Sequence, residues 1–170
     1  MPFACAALAV ALAPGSARAD DGRVGRGSPT APTAYGDGDE AACDLVTRAE
    51  ASRALGMTVP AGVEKTITLP VHGAGALRAQ YCVFGSELVM GRVALGSSGR
   101  VTFSQYRRSL ARTAGFHDVA GIGDEAFTAR GQLNVRRGNT TLIIDVGAVH
   151  SPQSEAAAER SLAAMAIPRL

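Results

Sequence analysis

The 170-residue sequence has no tryptophan, a single lysine (Lys65) among 17 basic residues, eight aromatic side chains, three histidines and three cysteines. Each scarcity excludes something. Three cysteines are too few for a disulfide-dense miniprotein, and no His-Glu-x-x-His or His/Cys spacing marks a zinc site. The longest apolar run, Phe3 to Ala13, would reach about 16 Å as a helix, roughly half a bilayer core, so a permanent transmembrane anchor is not expected. Charged residues make up 19% and hydrophobic ones 46%. That balance belongs to a globular chain and excludes collagen-like or wholly disordered architectures. Arginine in place of lysine, with abundant alanine and 20 glycines, reads as a GC-rich coding bias. None of these features points to a reaction.

What is present first concerns location. The uncharged run from Phe3 to Ala13 is broken by Pro14, Gly15 and Ser16, and Ala17-Arg18-Ala19 places small residues where a signal peptidase inspects them. Residues 1–19 are therefore expected to be a signal peptide, cleaved after Ala19. Cys5 follows Pro2-Phe3-Ala4 rather than a lipobox, so a lipid anchor on it is not expected. Residues 20–40 hold five glycines, two prolines and no apolar cluster, the composition of a flexible linker. Residues 41–170 are then a single domain, long enough to bury about two-thirds of its chain surface. Charge divides at the same boundary: the linker carries two arginines against five acids, and the domain 14 basic residues against 10 acidic.

Export makes the remaining cysteines informative. Cys43 and Cys82 are an even number in an oxidising compartment, and one structural disulfide is the economical reading. A redox pair or half of a metal site are the alternatives. Redox pairs usually sit close together as Cys-x-x-Cys, and no further ligand follows at metal spacing.

Hydrophobic periodicity gives the elements. Thr47-Arg48-Ala49-Glu50 has the capping-box arrangement and opens a helix ending at Gly56. Val63, Lys65, Ile67 and Leu69 then alternate, followed by β-prone runs Ala76–Phe84 and Leu88–Leu95 around a Gly85-Ser86 turn. Ser104 is expected to cap a second helix bearing Tyr106, Leu110 and Ala114, stopped by Gly115. Glu125–Arg130, Leu133–Arg137 and Thr140–Val149 read as strands, with turns at Gly131-Gln132 and Gly138-Asn139. In the last of them Leu142, Ile144, Val146 and Ala148 form one apolar face. Ser151 and Pro152 begin a final helix with Ala158, Leu162 and Met165 inward, closed by Pro168. The expected fold is α+β, in the order α-βββ-α-βββ-α, with antiparallel sheet and helices on one face. The repetition hints at an internal duplication, though the halves share no residue-level identity.

Three segments carry a family likeness. Cys43-Asp44-Leu45-Val46-Thr47 running to Ala54-Leu55-Gly56, then Tyr81-Cys82-Val83-Phe84, then Val119-Ala120-Gly121-Ile122-Gly123-Asp124-Glu125-Ala126, together resemble a large family of small exported actinobacterial proteins of unknown function. Many members are lipoproteins, and a similar layout occurs in the extracellular sensor domain of a mycobacterial receptor kinase. The resemblance implies an exported α+β module with a Cys43–Cys82 disulfide. It brings no catalytic residue.

A direct search for chemistry is also sparse. Gly96-Ser97-Ser98-Gly99 lacks the nucleophile-elbow spacing and is read as a hairpin-like loop. His72, His117 and His150 fall in or beside turns and read as solvated. Asp118, Asp124 and Glu125 could hold a hard cation through oxygen ligands. The competing account is a turn in which Gly121 and Gly123 supply positive φ and Asp124 binds local backbone N–H groups; this is the expectation. Gly73-Ala74-Gly75 is a turn rather than a dinucleotide fingerprint. Arg107, Arg108, Arg112, Arg136 and Arg137 could meet anions, yet nucleic acid is not expected as a partner of so weakly basic an exported domain. No cofactor or metal is expected. The chain is thus expected to be a non-enzymatic exported module that binds a ligand, a cell-envelope component or a protein through its sheet face or loops. The alternative is a hydrolase or transferase whose site is assembled from distant residues such as Ser98, His117 and Asp124.

Overall fold

The computed structural model describes residues 41–71, 75–147 and 152–170. The expected signal peptide and linker lie outside these, as do His72, Gly73, Ala74, His150 and the end of the strand expected to run to Val149.

A 3₁₀ turn at Ala42–Asp44 precedes helix α1, Arg48–Leu55. The capping box is formed: Glu50 N–H donates to Thr47 Oγ1, and Thr47 N–H donates to Glu50 Oε2. Gly56 ends the helix in the left-handed region, at φ 67°, which costs a residue without Cβ nothing. Strands β1 (Val63–Val71), β2 (Gly75–Phe84) and β3 (Leu88–Ala94) follow, then helix α2 (Gly99–Leu110). A two-residue strand β4 (His117–Asp118) leads to β5 (Glu125–Ala129), β6 (Gln132–Arg137) and β7 (Thr140–Val146). Helix α3 (Pro152–Ala166) runs into a 3₁₀ turn over Ile167–Arg169 that contains Pro168.

All seven strands form one antiparallel sheet, ordered β1-β2-β3-β7-β6-β5-β4. Consecutive strands joined by tight turns can only pair antiparallel, so each triplet is a meander, and β3 and β7 join the two. The chain is therefore α+β, as its periodicity implies.

Strand alternation sorts the side chains onto two faces. One face presents Cys82 and Phe84 of β2, Leu88 and Met90 of β3, and Leu142 and Ile144 of β7, all buried with Ala51 and Leu55 of α1 and Leu162 and Ala163 of α3. The other face presents Ala79 of β2, Val93 of β3 and Phe127 of β5, buried with Phe103 of α2. So α1 and α3 share one face, whereas α2 packs on the opposite one through Phe103, which corrects the expectation of helices on one face: both sheet faces carry apolar side chains that need cover. A two-fold axis perpendicular to the sheet would relate the two meanders yet keep their preceding helices on one side. The helices do not follow that relation.

Three local expectations need correction. Helix α2 starts at Gly99, five residues before Ser104, and Ser98 makes no side-chain cap. Gly-Arg-Val-Thr is a poor helix start by propensity; burial of Gly99 and Phe103 overrides it, and glycine is required at 99 because a Cβ would come within 2.8 Å of the Asn139 Cα. Gly96, Ser97 and Ser98 form a 3₁₀ turn entering this helix rather than a hairpin loop. The β5–β6 turn uses Arg130 and Gly131, both at positive φ (56° and 76°), the type I′ geometry that suits strand twist. It sits one residue earlier than Gly131-Gln132.

Candidate functional site

The Cys43–Cys82 disulfide is formed, with Cα atoms 4.8 Å apart. It clips the first turn of the domain to β2, and the Glu64 carboxylate on β1 reinforces it by accepting the Ala42 and Cys43 N–H groups at 3.1 and 2.9 Å. Glu64 brings a carboxylate oxygen within 4.8 Å of both sulfurs, but joined sulfurs offer no thiolate, so oxidised Cys43 and Cys82 cannot serve as metal ligands. Gly62 passes so close that a Cβ there would overlap Cys82 Sγ.

The glycine-aspartate segment has a defined geometry. Gly121 and Gly123 are both left-handed, at φ 78° and 59°, and a Cβ on Gly123 would fall 2.6 Å from Arg136 O. Asp124 N–H donates to that same carbonyl at 2.8 Å. The Asp124 side chain reaches beyond its own turn: Oδ2 accepts the Gly138 N–H at 2.8 Å and Arg136 Nη1 at 3.0 Å, while Oδ1 accepts Arg137 Nη1 at 3.2 Å. Arg136 also donates to Glu125 Oε1 through Nη2 at 3.0 Å. The backbone hydrogen bond from Gly138, with the two guanidinium groups, holds the Asp124 carboxyl below its ordinary pKa. Asp124 therefore locks the β6–β7 turn.

A test follows from the sign of that shift. A lowered folded-state pKa means stability that is present above the usual carboxylate range and lost as pH falls through the folded pKa. Asp124→Ala is expected to cost about 2 kcal/mol at pH 7, and the gap to wild type, measured by urea unfolding, is expected to narrow steadily toward pH 2.

The other polar residues singled out by sequence are held separately. Ser97 and Ser98 are exposed. His117 Nδ1 lies 2.8 Å from Thr128 Oγ1, which donates to Gly115 O. Asp118 accepts Arg107 Nε and Nη2 at 2.8 and 2.6 Å, and the Arg107 guanidinium also lies over the Phe116 ring. Among the described residues no hydrogen bond joins Ser98, His117 and Asp124. Three of the five arginines weighed as an anion patch, Arg107, Arg136 and Arg137, are engaged with carboxylates.

The structure instead assembles a cleft that sequence inspection did not find. It lies between α2 and the second sheet face and measures about 400 Å³. Its floor is Leu77 and Tyr81 from β2, Val93 from β3 with Leu95 just beyond, and Thr141 and Ile143 from β7. Its wall is the α2 stripe Thr102, Phe103, Gln105, Tyr106 and Ser109. Tyr81, Gly91 and Ile143 stand in register across β2, β3 and β7. A Cβ on Gly91 would lie 2.6 Å from the Tyr81 ring, so glycine lets that ring lie across β3 and pave the floor.

Aromatic residues, few in the chain, concentrate here. Of eight in the sequence, Tyr81, Phe103, Tyr106, Phe116 and Phe127 belong to this face. Phe127 is their hub, with ring centroids 5.4 to 5.8 Å from Phe103, Tyr106 and Phe116. Buried Asn134 ties the helix to the sheet, accepting the Tyr106 hydroxyl at 3.3 Å and donating to Gln132 O. Burial raises the pKa of both tyrosines, Tyr81 and Tyr106, so their hydroxyls stay neutral through the physiological range.

Toward β1 no helix among the described residues packs on this face. Lys65 and Ile67 pair with Tyr81 and Ala79 and so share their face. Lys65 is exposed, and Val63 and Ile67 are 57% and 43% exposed. The cleft thus borders a strip of the edge strand in which exposed Lys65 stands between Val63 and Ile67. Register could have pointed to it from sequence, through Tyr81 opposite Gly91, once the β2–β3 hairpin is placed.

Searches against protein-family models, curated proteins and solved structures find no match. Among the described residues no helix is long and apolar enough to cross a membrane.

Proposed function

We propose that the protein is an exported, non-enzymatic module of the cell envelope that binds a ligand in the cleft between α2 and the sheet. The observation that carries this reading is the cleft itself. It falls within the size range of small-molecule sites, about 300 to 1,000 Å³, and has their apolar and aromatic lining with a few polar groups. The disulfide supports an oxidising compartment. The likeness of the Cys43, Tyr81 and Gly121 segments to exported actinobacterial proteins agrees with it. The separate placement of Ser98, His117 and Asp124 favours binding over hydrolysis.

Filling the cleft tests the reading. Thr102 is half-buried on the helix wall, and Thr102→Trp would put an indole into the cavity without removing a core contact. Wild-type protein is expected to bind the small neutral dye N-phenyl-1-naphthylamine, whose size suits a cleft of about 400 Å³, with a saturable rise in fluorescence. Thr102→Trp should weaken that binding at least tenfold at an unchanged melting temperature. A dye that fails to bind, or binds the variant equally, refutes the cleft as the site.

A further inference from the structure

Resting on that cleft as the binding site, we infer that its ligand is a compact, uncharged apolar molecule carrying one hydroxyl or carbonyl group, which Thr141 recognises. The argument begins with charge. Among the described residues the lining side chains are all uncharged: Thr102, Gln105, Ser109 and Thr141 are polar, Tyr81 and Tyr106 carry hydroxyls, that of Tyr106 donating to Asn134, and the rest are aliphatic or Phe103. An ionised group brought into such a site would lose its water and meet no counter-charge from the lining, which is strongly unfavourable. Lys65, the cation on the same sheet face, is exposed and stands outside the lining. A neutral ligand meets no such cost.

Thr141 supplies the specificity. It is 3% exposed, and its Oγ1 is buried with no hydrogen-bond partner among the described residues. A buried hydroxyl left unpaired is unfavourable, and valine would fill the same space and pack against Val93 without that penalty. A ligand hydroxyl or carbonyl beside Thr141 relieves it. A turn to another staggered χ1 rotamer moves the threonine hydroxyl to the position its methyl held, so the group can meet a ligand on the cleft floor. The other polar members do different work. Gln105 and Ser109 are exposed at the rim, and Ser109 Oγ donates to Tyr106 O.

Size narrows the class further. A cavity of about 150 Å³ takes benzene, so one of about 400 Å³ takes roughly 15 non-hydrogen atoms. That corresponds to a fused-ring or short isoprenoid alcohol or ketone rather than a full acyl chain. Tyr81, half-buried with its ring over Gly91, offers such a molecule an aromatic surface.

Three probes of one shape separate the outcomes: naphthalene, β-naphthol and β-naphthoate, titrated by calorimetry into wild-type protein and Thr141→Val. Wild type is expected to prefer β-naphthol to naphthalene about fivefold, as one neutral hydrogen bond allows. It should bind β-naphthoate at least tenfold more weakly than β-naphthol. Thr141→Val, which keeps the side-chain shape, should retain naphthalene binding and bring the naphthol preference to one or below. A preference that is the same in both proteins overturns the role of Thr141 and leaves the cleft reading standing. Tightest binding of the naphthoate overturns the uncharged class. If none of the three binds wild type, the cleft reading itself falls.

Discussion

Removing the Cys43–Cys82 bridge is expected to cost about 4 kcal/mol and lower the melting temperature by about 15 °C. The bridge spans 39 residues of sequence separation and encloses α1, β1 and most of β2. In the chain-entropy account the loss acts on the unfolded state, which gains freedom once the loop opens. Native contacts bear on the same change. The segment that the bridge pins includes Leu45 and Val46, which are 0% and 1% exposed beneath α1 and α3, and the bridge sulfur of Cys82 is itself in the core. Glu64 and the Arg169 hydrogen bond to Leu45 O keep this segment seated after reduction, so the domain should remain folded at 25 °C. The paired substitution Cys43→Ala with Cys82→Ala, unfolded in urea, checks this in two ways. The midpoint should fall, and the slope should rise because the unlinked chain exposes more surface on unfolding. An unchanged midpoint would show that the bridge is incidental to stability.

How much of this was legible from sequence depends on whether the cause is local. The signals for α1, a capping box at Thr47 and Glu50 and a left-handed Gly56, act within one helix, and the element forms where they place it. The meanders were legible for a similar reason, since short glycine turns leave antiparallel pairing as the sole option. The start of α2 was not, because it rests on the tertiary burial of Gly99 and Phe103, with Gly99 pressed against Asn139, forty residues on. Strand β4 has two residues and so no alternation to read. The face chosen by α2 was equally hidden. Phe103, Tyr106 and Leu110 show that the helix has an apolar stripe, but not which side of the sheet receives it. The cleft follows from that choice. Its residues come from β2, β3, β7 and α2, and none is unusual in its own segment; Thr141 reads as an ordinary strand threonine until its hydroxyl is found buried and unpaired. The arginines teach the converse. Arg107, Arg136 and Arg137 read as solvated surface cations that could meet anions, and the fold turns each toward a carboxylate.

Replacing Glu159 by glutamine is expected to stabilise the protein at pH 8 by on the order of 3 kcal/mol and to change nothing at pH 4. Glu159 lies on α3 and is 4% exposed, a rare position for a carboxyl group. Burial pushes its pKa up from 4.5 to about 7; a hydrogen bond from the Leu133 backbone opposes the shift, and the charges of Asp145 and Glu155 add to it. The folded state therefore holds this proton more tightly than the unfolded chain does. With the folded pKa raised, the favourable contribution is complete below the unfolded value of about 4.5 and is lost as pH rises through about 7. Above that the native state carries a buried carboxylate facing two like charges. Glutamine keeps the side-chain length and an oxygen to accept from Leu133, and it never ionises. Other carboxyls do not confuse the comparison. Glu50, held down to about 2 chiefly by the Arg169 hydrogen bond, and Asp124 both lose stabilising charge as the solution becomes acidic, but they do so equally in wild type and variant and cancel in the difference. Urea midpoints at pH 4, 6 and 8 should show a gap that opens with rising pH and levels off above 7. A gap of the same size at all three pH values would assign the effect to packing rather than to ionisation. A variant that is weaker throughout would mean that the protonated Glu159 donates a hydrogen bond that glutamine cannot replace.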